Sequence, residues 1–155
     1  MTTSSGTDRI DRTIDIDAPP ERVWRALTDA NELSKWFKVS LDGEIAAGRE
    51  VWMTSLHEGH EHIRFRVAFI ELTPPVRFVW EWHANAVDQA FDYSKEKRTT
   101  VTFTLEPTAR GTRLTVSETG FDGVSLSRRA KAFSENSKGW TEVIRWIKGH
   151  VEDAR

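Results

Sequence analysis

The sequence predicts an α+β fold in which a strongly curved antiparallel sheet wraps around a long C-terminal helix. Two changes of apolar period and one apolar stripe carry this reading. Residues 19–37 follow helical spacing, the apolar period becomes two from Gly48 onward, and helical spacing returns after Gly123. In the last segment, "SLSRRAKAFSENSKGWTEVIRWIKGHVEDAR", Phe133, Trp140, Ile144, Ile147 and Val151 fall at steps of three, four and seven, which is one stripe of an amphipathic helix. Helix and sheet are segregated along the chain, and the concave face of the sheet is the only large surface that such a stripe can cover.

Each element has its own local reason. "RIDRTIDIDA" alternates Ile10, Thr13 or Ile14, and Ile16 against charged residues, so it reads as a half-buried strand ending before Pro19. "PPERVWRALTDANELSKWF" opens with a proline suited to a first helical turn. It then spaces Val23, Trp24 and Leu27 as a helix, breaks at Asp29 or Asn31, and resumes with Leu33, Trp36 and Phe37. "REVWMTSL", "HIRFRVAFIEL", "VRFVWEW", "TTVTFTLEP" and "TRLTVSETG" are successive alternating runs. The connections "HEGHE", "TPP", "HANAVDQAFDYSKEK" and "TARG" separate them as in an antiparallel meander. A further short strand is expected near residues 44–46. The predicted order is β-α-α-β(about six)-α.

The 155 residues suit one domain, expected over residues 9–155 behind a loose tail of residues 1–8. With 22 basic and 24 acidic residues the net charge is only −2, so no global field recruits nucleic acid or an anionic membrane. The chain has no cysteine, which removes disulfides, thiolate metal sites and thiol nucleophiles and points to a reducing, cytoplasmic setting. Stable membrane insertion is not expected, since no long apolar run occurs and "MTTSSGTDR" lacks the blocks of a secretory signal. Seven tryptophans and eight phenylalanines against one tyrosine demand a bulky core or an aromatic-lined pocket.

"APPERVWRALTDANELSKWF", "ELTPPVRFVWEW", "TRLTVSETGF" and "GWTEVIRWIKGHVE" resemble, in this order, the START-like SRPBCC superfamily with its helix-grip fold. Within it they are most similar to homologues of the C-terminal domain of the heat-shock-protein-90 ATPase activator, over about residues 10–152. The resemblance implies an internal cavity between sheet and terminal helix that binds a small hydrophobic, lipid-like or aromatic ligand. That superfamily also holds hormone receptors and polyketide cyclases, so fold alone does not choose the activity. A chaperone-associated interaction module is therefore an alternative function, although in the activator this domain is joined to a separate N-terminal domain and the present chain is too short for both, which counts against chaperone association. A homodimer is left open.

Strand parity gives the candidate walls. Phe65, Val67 and Phe69 share one parity, as do Phe78, Trp80 and Trp82, and Val101, Phe103 and Leu105. With Trp140 and Ile144 of the last helix, these residues are either core or ligand-binding surface. Trp36 and Phe37 belong to a helix too short to stand alone, which the resemblance sets at the cavity mouth as a gate.

Glu118 continues the parity of Leu114 and Val116, so an inward-facing carboxylate is expected there, as a ligand anchor favouring its protonated form or as an acid–base group. The competing reading puts it in solvent at the rim. No catalytic residue is assigned. The enzyme alternative, a cyclase or hydrolase, has only Glu118 and His83 to draw on, because no nucleophile elbow, phosphate loop or dinucleotide fingerprint occurs. His57, Glu58, His60, Glu61 and His62 are metal-ligand types, but around Gly59 they read as a solvated hairpin turn. Neither a metal nor a cofactor is expected. Arg128, Arg129 and Lys131 read as an exposed helical face, or else as a grip on an anionic head group.

Overall fold

The computed structural model describes residues 6–153. Its strands are β1 (Arg9–Ile16), β2 (Val39–Leu41), β3 (Glu50–Ser55), β4 (Arg64–Thr73), β5 (Arg77–Trp82), β6 (Thr99–Pro107) and β7 (Thr112–Thr119). They form one antiparallel sheet of seven strands in the order β1-β7-β6-β5-β4-β3-β2. α1 (Pro20–Thr28) and α2 (Ala30–Phe37) bridge the two edge strands, and α3 (Leu126–Asp153) crosses the concave face and packs on β1, α1 and α2.

The helical corner is built by local chemistry. Pro20 supplies a first-turn residue with no N–H to satisfy. Asp29 ends α1 through its N–H to the Arg25 carbonyl and starts α2 by accepting from the Glu32 N–H at 3.0 Å. Lys38, in the left-handed conformation at φ 54°, stops α2 and turns the chain into β2. Glu32 then ties this corner to α3, accepting from Arg22 at 2.8 Å and from Arg25 at 3.1 Å, and meeting His150 Nε2 at 2.9 Å.

The expected short strand near residues 44–46 is not formed. The chain there has no regular structure, and the short strand is β2, directly after α2. Of the expected tail, residues 1–5 lie outside the described residues. Asp8 is held in place: its carbonyl accepts from the N–H groups of Gly120 and Phe121, and its carboxylate from Asp122 N–H at 2.9 Å. Gly120 makes this corner at φ 99°, a conformation that disfavours any side chain.

The inner face of the sheet is a closed aromatic layer. Phe69, Phe78, Trp80 and Phe103 are fully buried, with Phe78 stacked on Phe69 and Phe103 at 5.8 Å and Trp80 edge-on to Phe103 at 5.1 Å. On β4 the register shifts between Phe69 and Glu71, which turns Ile70 out to solvent. The β4–β5 ladder then runs only from Thr73↔Arg77 to Ala68↔Glu81. Residues 64–67 pair with β3 but have no strand on their other side. The loop after β5 covers that opening, and the Gln89 side chain accepts from the Arg64 N–H at 3.1 Å in place of a ladder carbonyl.

Candidate functional site

Where β4 and β5 part, the protein opens into a cleft. Its apolar limb, about 280 Å³, is walled chiefly by Phe37, Phe65, Trp82, His83 and Val87. A polar limb of about 560 Å³, with Trp52, Arg64, Arg66, Arg98 and Tyr93 among its walls, adjoins it at Phe65, His83 and Ala86. A shallow extension of about 160 Å³ runs between Phe37, Trp82 and the Asn136–Trp140 stretch of α3.

The sequence-derived residues divide between this cleft and the closed core. Phe37, Phe65 and Trp82 meet at ring separations of 5.7–6.4 Å, and each shows a face to the cleft. Trp140 borders the extension. Val67, Phe69, Phe78, Trp80 and Phe103 are fully buried, and Trp36 and Ile144 nearly so, and none of these lines the cleft. Trp36 is held inside by its indole N–H, which donates to the Ala26 carbonyl at 2.7 Å. The open space therefore lies at the end of the sheet, because the rings of the middle strands fill the room beneath α3. Ser55, Ile63, Val87 and Asn136 also line the cleft and were not singled out in the sequence. Asn136 sits one helical turn before Trp140, so its spacing was a usable signal; the loop position of Val87 gave none.

Glu118 faces inward as its parity predicts and is fully buried. Its carboxylate has four donors. Trp140 Nε1 and Asn136 Nδ2 reach Oε1 at 2.8 and 2.9 Å, while Trp82 Nε1 and Thr99 Oγ1 reach Oε2 at 2.8 and 2.5 Å. A carboxylate offers about four acceptor sites, so the set is full. Through these four bonds Glu118 joins β5, β6, β7 and α3, and they occupy the acceptor positions that the expected ligand anchor would use.

His83 lines both limbs and stacks on Tyr93 at 6.2 Å. Burial holds its imidazole below the ordinary value of 6.5, Arg98 and Arg128 push the same way, and Glu96 and Glu50 oppose them. Its buried Nδ1 and the buried Trp80 Nε1 have no hydrogen-bond partner among the described residues.

His57 lies half-buried against Trp146 of α3 at 5.5 Å, whereas His60 and His62 are exposed. Among the described residues, no three His, Asp or Glu side chains converge as metal ligands would. Arg128 is not on an exposed face. It pairs with Glu96 at 2.6 Å, donates to the Ala84 carbonyl at 2.7 Å and lies over Tyr93, which fastens the loop above the cleft to α3. Arg129 donates to the carbonyls of Val124 and Asp122, and Lys131 is exposed.

A curved antiparallel sheet gripping a terminal helix, with an aromatic cleft at its open end, defines a helix-grip domain of the START-like SRPBCC class. The chain belongs to the Activator of Hsp90 ATPase homolog 1-like protein family, whose model matches residues 17–152. Protein MLL2253 of Mesorhizobium loti has the same fold at 24% identity and a TM-score of 0.75, over 95% of this chain and 98% of that one. The Aha1 dimer of Colwellia psychrerythraea matches at 19% identity and 0.70, over 93% and 96%. DynU16, from the dynemicin biosynthetic locus, matches at 20% and 0.71, over 96% of this chain but 48% of its own. No curated protein matches the sequence. Among the described residues, no helix is long and apolar enough to cross a membrane.

Proposed function

We propose that the protein binds a small hydrophobic molecule, aromatic or lipid-like, in the apolar limb between Phe37, Phe65, Trp82 and Val87. One observation carries the reading: three large rings meet at the sheet opening and leave about 280 Å³ uncovered, while every ring deeper in the sheet is enclosed. That volume is near the lower end of small-molecule pockets, about 300–1,000 Å³. Phe37 ends α2, so displacement of this short helix would widen or close the mouth, as a gate does. A cytoplasmic setting belongs to the same proposal and agrees with the cysteine-free composition.

Tryptophan-fluorescence titrations with fatty acids, simple aromatics and steroids test it. Saturable binding is expected for at least one class, weakened at least threefold by Val87→Asp, which sets a charge on the rim without touching the core. The absence of saturable binding to the intact protein would overturn the carrier reading.

Family membership favours a second reading, a chaperone-associated module, with the dimer described for the Colwellia protein as its assembly. Pull-down with the chaperone separates the two, since a carrier alone leaves it unbound. For an enzyme reading, the four bonds to Glu118 leave His83 as the sequence-derived acid–base candidate that borders the cleft, beside His57 and His60 of the same lining.

A further inference from the structure

Resting on the proposed apolar site, we infer that the polar limb receives an anionic group of the same ligand, so that the preferred ligand class is an aryl or acyl carboxylate held at Arg64. The two limbs adjoin at Phe65, and Arg64 is its chain neighbour on the opposite face of β4. A molecule with its ring against Phe65 and Trp82 would turn its polar end around the rim that the two limbs share at Phe65 and His83, toward the guanidinium.

The charges on the strand wall are unevenly matched. Arg64 and Arg66 both lie over the Trp52 ring, with guanidinium carbons 4.4 and 5.1 Å from its centroid. Glu50 serves two arginines, Arg66 at 2.8 Å and Arg98 at 2.6 Å. Arg64 has no carboxylate partner among the described residues, although its planar fork matches a carboxylate bidentately. The acids of the opposite wall are occupied locally. Glu96 takes Arg128 and the Ser125 N–H, Asp92 takes the N–H and hydroxyl of Ser94, and Asp88 takes the Ala90 N–H. Arg64, exposed and stacked on Trp52, is thus the arginine of this limb that has no carboxylate partner among the described residues, and its fork is open to an incoming anion.

Isothermal titration of the intact protein with phenylbutyrate, phenylbutanol and phenylbutylamine tests the inference, because the three share a ring and chain and differ in a head group that is anionic, neutral or cationic. Phenylbutyrate is expected to bind about three to ten times more tightly than the alcohol, the amine more weakly than either. Arg64→Gln should bring the acid-to-alcohol ratio near one, Arg64→Lys should restore part of it, and added salt should shrink it. Equal binding of acid and alcohol, or a ratio that survives Arg64→Gln, overturns the anionic subsite and leaves the apolar site standing. Tighter binding of the amine assigns the limb to the acidic wall and overturns it too. No binding of any of the three overturns the inference, while the titrations with fatty acids and steroids decide the apolar site separately.

Discussion

Trp140 of α3 donates its indole N–H to the Glu118 carboxylate at the end of β7 at 2.8 Å, inside the protein and out of reach of solvent. Trp82 and Thr99 from the neighbouring strands and Asn136 from the same helix complete the set. A buried carboxylate is costly unless its acceptors are filled, and here they are filled by donors from the elements that must be clamped together. Helix position and cleft shape are thus fixed by one side chain, since Trp82 and Asn136 also line the cleft.

Glu118→Gln is expected to destabilise the fold although it preserves shape. Its amide would present two N–H groups where two donors now point, leaving buried donors without acceptors at a cost of about 1–3 kcal/mol each. Trp140→Ala should cost about 3–5 kcal/mol through the cavity and the lost bond. Denaturant melts measure both, and losses below about 0.5 kcal/mol would contradict the clamp.

Trp36 and Phe37 are neighbours with different duties. Trp36→Ala removes an enclosed ring and its bond to Ala26, so a stability loss of about 3–5 kcal/mol is expected. Phe37→Ala opens a ring that is only partly covered, and it should weaken binding of an apolar probe relatively more than it lowers the melting midpoint. Equal effects of the two variants on binding per unit of stability would remove the distinction.

The strand faces, the helical stripe and the inward direction of Glu118 were legible because each rests on a local period of two or 3.6. Strand β2 was not, since three residues carry no period and its place depends on Lys38 turning left-handed. Parity identified Phe65 and Trp82 as inward but could not tell them from Phe69 and Trp80. That difference arises where β4 and β5 lose their pairing and the loop carrying Gln89 takes over. The four donors to Glu118 come from residues 18 to 36 positions away, and the partners of Arg128 from positions 32 to 44 away, so neither network leaves a short-range signature.

The acid limb of the stability profile should carry a contribution from Glu32. Burial alone would raise its carboxyl, but bonds from His150 and Arg22 outweigh that and leave it below the ordinary 4.5. A carboxyl lowered in the folded state adds stability that is fully present above the unfolded value and is lost as pH falls through the folded one. Melts from neutral pH to below 4.5 should therefore fall less steeply in Glu32→Gln than in the parent protein, from a lower starting point. Parallel curves would contradict the linkage.

His83 shifts in the same direction for a different reason, burial reinforced by Arg98. Its folded form favours the neutral ring, so its contribution is present above the ordinary 6.5 and declines as pH drops below that value. Its imidazole resonances should titrate with a midpoint under 6.5, and His83→Asn should flatten the stability profile just below that pH. A midpoint at or above 6.5 would contradict burial as the dominant influence on the ring and show that Glu96 and Glu50 outweigh it.

The central claim, that the ligand site is the aromatic opening between β4 and β5, is tested most directly by a nuclear magnetic resonance titration with phenylbutanol. The indole N–H signals of the seven tryptophans act as position markers. Saturable shifts are expected at Trp82 and at the amides of Phe37, Phe65, His83 and Val87, with the Trp36 indole unmoved. Shifts centred on the β1 edge, or no saturable shift anywhere, would contradict the account.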